Sequence, residues 1–170
     1  MAETDDKTQQ NLYEAFVGEA KAHRRLLAYA RRADQEGYPD VARLFRAVAY
    51  AEGVHADASL RLLGETVVRS TEENLQASFE RETTVSDITY PRFIQEANEE
   101  DRRWAARIFT YARDAEESHA ALYKGAIGCM LREEACAYHV CDVCGLVVEG
   151  DAPRQCPICG AKREKFVLIE

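Results

Sequence analysis

The sequence predicts an all-α four-helix bundle followed by a small β-type C-terminal domain, on three observations. Apolar seams at the three-four spacing of a core-facing helix stripe recur four times before Glu134. A Glu followed by a Glu-x-x-His occurs twice, as Glu19 with Glu52-x-x-His55 and as Glu82 with Glu116-x-x-His119. Residues 136 to 170 lose helical periodicity and gain Gly, Pro, Val and two close cysteine pairs.

The elements follow in order. Helix one is expected over Thr8 to Glu36, with Gly37 as its left-handed terminator. Pro39 suits the first turn of helix two, where a missing N–H costs nothing, and Gly64 closes that helix. Ser70-x-x-Glu73 reads as a capping box opening helix three, whose interior Pro91 should kink or split it. Helix four is expected from Asp101 to Arg132. Beyond it, Leu146-Val147-Val148 and Phe166-Val167-Leu168-Ile169 are short β-like runs. The chain thus divides into a bundle, 1–134, and a second domain, 135–170, too small to fold on an apolar core alone.

The two halves of the bundle are copies. Asn11-Leu12 precedes Glu19 as Asn74-Leu75 precedes Glu82, and Ala42-Arg43-Leu44-Phe45 precedes Glu52 as Ala106-Arg107-Ile108-Phe109 precedes Glu116. The offsets are 63 and 64 residues, so one helix-turn-helix unit occurs twice. A lone Glu-x-x-His is usually a solvated surface pattern, but these acids sit mid-seam. The seams read Leu12, Phe16, Glu19, His23, Leu26, Ala30; Phe45, Val48, Glu52, His55, Ser59, Leu62; Leu75, Phe79, Glu82, Ser86, Thr89, Phe93; and Phe109, Ala112, Glu116, His119, Tyr123, Ala126.

Burying even one unpaired carboxylate costs several kcal/mol or forces its protonation, and here four converge. Two divalent cations cancel four glutamates while two neutral imidazoles add no charge. Each His lies about 60° round and one turn along from its Glu, so both reach one ion. A Glu from each of two helices with Glu-x-x-His from each of the other two is how a bundle holds a carboxylate-bridged metal pair. Carboxylate and imidazole without thiolate suit iron or manganese, and zinc also binds such sets.

Composition narrows the rest. At 170 residues, a net charge of -8 and a pI near 5.1, the chain lacks the basic face that nucleic acid demands. Met1 to Asn11 has neither a basic start nor an apolar core, so no secretory signal is expected. No uncharged apolar stretch approaches the ~18 residues of a membrane helix. A cytoplasmic protein, binding neither nucleic acid nor membrane, is expected.

Cys141-Asp142-Val143-Cys144-Gly145 and Cys156-Pro157-Ile158-Cys159-Gly160 are separated by eleven residues between Cys144 and Cys156. Four thiolates on paired loops make a tetrahedral sulfur cage for iron or zinc, and spacing alone does not choose between them. Each trailing Gly permits the positive φ that turns backbone amides toward sulfur. Disulfides are disfavoured in a reducing compartment. Cys129 and Cys136 read as packing residues.

These residues resemble the rubrerythrin family, a ferritin-like di-iron bundle followed by a rubredoxin-like domain. The match runs in order through Phe16-Val17-Gly18-Glu19, Ala51-Glu52-Gly53-Val54-His55, Tyr90-Pro91-Arg92-Phe93, Ala115-Glu116-Glu117-Ser118-His119 and both cysteine loops. The resemblance implies two non-haem irons held by Glu19, Glu52, His55, Glu82, Glu116 and His119. It implies a redox-active single iron, or zinc as the alternative, on Cys141, Cys144, Cys156 and Cys159. It further implies reduction of hydrogen peroxide to water as an oxidative-stress defence, with electrons from an external donor returning through the cysteine-bound iron. The small domain of one subunit near the bundle site of another implies a head-to-tail homodimer or a higher homo-oligomer.

One position departs from the family. Rubrerythrins usually carry a further Glu three residues beyond the third-helix acid; here Val85 stands there, and Asp87 would lie about 140° round from Glu82. A more symmetric ligand set follows, with His55 bound in both oxidation states. Tyr90 is either a hydrogen-bonding neighbour of the acids or plain packing; His23 reads as a hydrogen-bonded core histidine, with proton relay as the alternative; His139 reads as surface. Two other functions compete: a ferroxidase or iron-handling protein of the bacterioferritin kind, and a non-enzymatic scaffold with zinc in the cysteine cage.

Overall fold

The computed structural model describes residues 7–129 and 137–169, backbone only at 127–129. The expected end of helix four at Arg132, the boundary after Glu134, the packing of Cys136 and that of the Cys129 side chain lie outside the described residues. The chain divides into two compact units, residues 1–70 and 71–170.

The first unit is a hairpin of α1 (Lys7–Gln35) and α2 (Pro39–Leu63). Its turn is a Schellman motif: Gly37 at φ +82° gives its N–H to Asp34 O (3.1 Å), and Tyr38 gives its N–H to Ala33 O (2.9 Å). Pro39 opens α2 without needing an N–H partner. Between the helices the buried residues are Ala30, Ala33, Ala42, Ala49 and Ala56, with Leu63 at the end. Small side chains let the two backbones approach closely. His23 Nδ1 bonds to Ala49 O at 2.7 Å across this seam, tying α1 to α2.

The second unit begins with α3 (Thr71–Thr84), directly after Ser70. A π-helical turn, Val85–Thr89, then leads into α4 (Tyr90–Glu99). Pro91 has no N–H to offer the carbonyl four residues back, and the N–H of Tyr90 instead reaches Val85 O, five residues back. The expected break at Pro91 is therefore an inserted residue rather than an open kink. Next comes α5, Arg103–Cys129.

Helix four was expected to start at Asp101, and it starts two residues later. Asp101 instead closes α4 in the left-handed region, at φ +55°. Its N–H bonds to Asn98 O (3.1 Å) and that of Arg102 to Ala97 O (2.7 Å), the same Schellman pattern as at Gly37. Gly37 and Asp101 are 64 residues apart, so the internal repeat extends through both hairpin turns.

The C-terminal part of this unit is a three-stranded antiparallel sheet ordered β2-β1-β3, from β1 (Tyr138–Cys141), β2 (Val147–Glu149) and β3 (Phe166–Ile169). Val140 pairs with Val147 on one side and Val167 on the other. The sequence pattern showed β2 and β3 but not β1, whose Tyr-His-Val-Cys run carries no clean alternation. Its small core gathers Cys141, Leu146 and Cys156, with Val148, Ile158 and Phe166 packed around them.

The two hairpin turns make opposite predictions. A left-handed backbone costs an L-residue roughly 1–2 kcal/mol, less for Asp, so Gly37→Ala should cost about 1 kcal/mol in urea unfolding. Asp101→Gly should cost nothing and gain a few tenths of a kcal/mol, the relief outweighing the entropy a glycine adds to the unfolded chain. A loss of stability in Asp101→Gly would contradict the repeat.

Candidate metal centres

In the first unit, one turn of α1 presents Glu19, and α2 presents Glu52 and His55 three residues apart. Ligand atoms of all three lie within 4.8 Å of one another. His55 Nδ1 stands 3.1 Å from Glu52 Oε2. The side chain of Glu52 is 22% exposed and that of His55 62%. Glu19 is held above the usual carboxyl range, first by a hydrogen bond shared with Glu52, then by burial and by the Glu52 charge, against which His55 acts.

The second unit repeats this arrangement. Glu82 of α3 meets Glu116 and His119 of α5, again with ligand atoms within 4.8 Å. His119 Nδ1 lies 2.9 Å from Glu116 Oε2, so both histidines turn the same nitrogen to the same carboxylate oxygen of their partner. This cluster is more enclosed, with Glu116 and His119 both 21% exposed at the side chain. Burial above all, with the neighbouring Glu116 carboxylate second, pushes Glu82 up to about 7, although Arg81 and His119 oppose it.

Glu82 Oε2 is buried without a hydrogen-bond donor. An orphaned buried carboxylate oxygen is rare in native proteins and calls for an ion or a proton. The donor set, two carboxylate oxygens and one imidazole Nδ1 in each cluster, fits a divalent cation of the iron class. The other nitrogen of His119, Nε2, is 3.0 Å from the carbonyl of Gly145. That bond places the proton on Nε2 and leaves the Nδ1 lone pair for an ion, the usual way an outer partner orients a ligating imidazole.

Gly145 follows Cys144 directly, and the cysteine loops are built in duplicate. Gly145 at φ +82° and Gly160 at φ +75° return their N–H groups to Cys141 O (2.9 Å) and Cys156 O (3.0 Å). Cys141 and Cys156 in turn give their N–H groups to Leu146 O and Ala161 O. The four Sγ atoms lie within 4.8 Å, with Cys141 to Cys159 at 3.7 Å and Cys144 to Cys156 at 3.5 Å. These are far beyond a disulfide bond, and a tetrahedron with metal–sulfur bonds of about 2.3 Å has edges of roughly 3.8 Å. Burial pushes the Cys144 and Cys159 thiols up. Burial acts in the same sense on Cys156 but is outweighed by the amides of Cys159 and Ile158 and by the neighbouring thiols, and its pKa falls. A shared cation removes this conflict by letting all four ionise.

The remaining expected residues divide. Tyr90 packs its ring against Phe93 and Phe109, centroids 6.1 and 6.2 Å away. Burial first, and then the Glu116 charge, raises its hydroxyl, which is therefore both packing residue and neighbour of the acids. Val85 is half-buried at the start of the π turn and Asp87 is exposed, so among the described residues no further carboxylate joins the Glu82 cluster. His139 is half-buried in β1 and bonds to Gly150 O at 2.7 Å. Sequence reasoning missed Gly145 as a partner of His119, a pairing 26 residues apart that no local pattern signals.

Comparison with known proteins agrees with this geometry. The Rubrerythrin family matches residues 10–127 and the rubredoxin-like domain of rubrerythrin matches residues 139–167. Rubrerythrin-2 of Clostridium acetobutylicum is 32% identical over 94% of this chain and 95% of its own length. Nigerythrin of Nitratidesulfovibrio vulgaris is 33% identical over 94% of this chain and 85% of its own. A solved mixed-valence state of nigerythrin covers 95% of this chain and 86% of its own with a TM-score of 0.57 at 32% identity.

The proton on Glu82 has a thermodynamic signature. Its folded-state pKa of about 7 lies above the ordinary carboxyl value of 4.5, so the stability it confers is complete only below the ordinary value, declines above it and is gone once pH has risen through about 7. Metal-free protein should melt at a lower temperature at pH 8 than at pH 6, and Glu82→Gln should shrink that difference. Identical melting of metal-free wild type at the two pH values would contradict the assignment.

Proposed function

Because the chain belongs to the rubrerythrin family, we propose that it is a non-haem di-iron peroxidase that reduces hydrogen peroxide to water. The chain carries a di-iron carboxylate site and a four-cysteine rubredoxin-like site, the equipment of an oxidoreductase. In this reading Glu19, Glu52, His55, Glu82, Glu116 and His119 hold the two irons, and Cys141, Cys144, Cys156 and Cys159 hold the single iron. The bundle is 1–134 and the relay domain 135–170.

The observation that supports turnover is the His119–Gly145 hydrogen bond of 3.0 Å. It joins a bundle ligand to the backbone beside Cys144 through one adjacent residue, all within one chain, so the cage and this ligand need no second subunit to be neighbours. Such a link supports electron delivery from the cage toward the bundle.

A ferrous pair supplies the two electrons that one peroxide needs, with two protons, to become two waters. The chain's own residues do the rest. The carboxylates hold the cations by charge, His119 is fixed as the Nε2–H form, and the Tyr90 hydroxyl keeps its proton beside Glu116 across the neutral range. With no carboxylate at Val85 to take its place, His55 stays bound in both oxidation states; an oxidised structure with the nearest iron far from His55 would contradict that.

Four unbridged thiols suit the reducing cytoplasm and an external electron donor there. No described helix is long and apolar enough to cross a membrane.

Anaerobic reduction followed by one equivalent of peroxide should re-oxidise both chromophores quickly. Cys144→Ala should lose steady-state turnover by roughly 100-fold, since the return of electrons is cut, while the chemically reduced bundle site is still oxidised by peroxide in a single turnover. Slow oxidation of wild type by peroxide, with rapid oxidation of added ferrous iron, would instead make the protein a ferroxidase.

A further inference from the structure

The seam of the α1–α2 hairpin holds its helices close without fixing them. Ala30, Ala33, Ala42, Ala49 and Ala56 are buried along it, and methyl groups offer little to interlock. The tight turn at Gly37 ties the hairpin at one end, but Glu19 lies eighteen residues before it, roughly 27 Å away along α1. Over that length two helices can roll or splay. Something nearer the ligands has to keep Glu19, Glu52 and His55 within 4.8 Å of one another.

A side-chain bond crosses the seam one turn away from them. His23 follows Glu19 by four residues on α1, Ala49 precedes Glu52 by three on α2, and the ring's Nδ1–H donates to the Ala49 carbonyl at 2.7 Å. The helices run antiparallel, so stepping back four residues from His23 and on three from Ala49 moves in one direction. At about 1.5 Å per residue, Glu19 and Glu52 then stand within roughly 1.5 Å of one level. Gly53 completes the contact: a Cβ there would stand 3.4 Å from His23 Nδ1 and 3.7 Å from Cε1, so the ring lies directly against the backbone of α2.

We infer that His23 is a positioning residue of the bundle metal site: its bond to Ala49 sets the separation of α1 and α2 at the level where Glu19, Glu52 and His55 meet. The inference rests on the di-iron reading above. With Nδ1–H committed to a carbonyl, which has no proton to pass on, the ring serves geometry and not proton relay. The second hairpin meets the same need differently. The repeat counterparts of His23 and Ala49 are Ser86 and Arg113; Ser86 Oγ donates to Thr83 O of its own helix at 3.1 Å, and Arg113 pairs with its neighbour Asp114 at 2.6 Å. There His119 is held by the Gly145 carbonyl instead. Each cluster thus has an outer hydrogen bond that places it, and the two bonds are unrelated in sequence.

Substitutions at His23 separate the bond from the ring. Each is made in the full chain with zinc in the cysteine cage, which binds there more tightly than cobalt, and cobalt(II) is titrated into the bundle. His23→Asn puts an amide N–H where Nδ1–H stood, whereas His23→Leu fills the seam with no donor. Cobalt affinity of His23→Asn should stay within about twofold of wild type, and that of His23→Leu should fall roughly 10-fold, with a shifted visible band as the ligand oxygens move apart. A histidine needed only for stability would lower the melting temperature of the metal-free chain and leave affinity and band alone.

Wild-type affinity and band in His23→Leu would overturn the inference, as would His23→Asn binding as weakly as His23→Leu. If leucine prevents folding, His23→Gln, whose amide stands one bond further out, is compared with His23→Asn in the same way. A wild type that takes up no cobalt in the bundle would overturn the di-iron reading as well. A filled wild type with indifferent variants overturns the role of His23 alone.

Discussion

Four carboxylates on apolar helix faces are the constraint from which the rest of the molecule follows. Without cations the two carboxylates of each pair repel one another and lose hydration, and the protein responds where it can, by holding a proton on Glu82 to about pH 7 and by raising Glu19. With one divalent cation each cluster of two carboxylates becomes nearly neutral, and ligation free energy becomes folding free energy. The imidazoles fit this scheme because they ligate without adding charge. Both are turned the same way, Nδ1 toward the glutamate three residues earlier, since the geometry of Glu-x-x-His on a helix leaves little alternative.

The same logic, in softer chemistry, governs the C-terminal domain. Four thiols within 4.8 Å pull one another's pKa values apart, and a cation that takes all four as thiolates resolves the conflict. That ion also supplies the stability that a core of Cys141, Leu146 and Cys156 cannot. The two centres are not independent. The backbone turn that aims amides at the cage exposes the carbonyl of Gly145, and that carbonyl selects the tautomer of His119. A single glycine thus serves the geometry of one metal site and the protonation of another.

Duplication runs through every level. It sets the ligands, the apolar seams, the exposed Leu44 and Ile108, and the left-handed turn residues Gly37 and Asp101. The halves differ where function asks it of them. The second carries the π turn at Val85–Thr89 and the Tyr90–Pro91 step, which bring Tyr90 beside the acids. It also holds the more enclosed cluster, the one in contact with the cysteine loop.

What could be read from residue order was whatever has a local period or a local chemistry. Helix spans came from apolar spacing with Gly37, Pro39 and Gly64 as punctuation, the ligand types from Glu-x-x-His, and the cage from two Cys-x-x-Cys-Gly loops. Each is decided by neighbours a few residues apart. Asp101 was read as a helix start because aspartate favours both roles, and only the 6→1 bond from Arg102 to Ala97 distinguishes a terminator from a cap. β1 was missed because a strand of Tyr-His-Val-Cys is stabilised by the two strands beside it rather than by its own pattern. The His119–Gly145 bond and the alanine seam belong to the tertiary structure alone, since they depend on segments distant in sequence meeting in space.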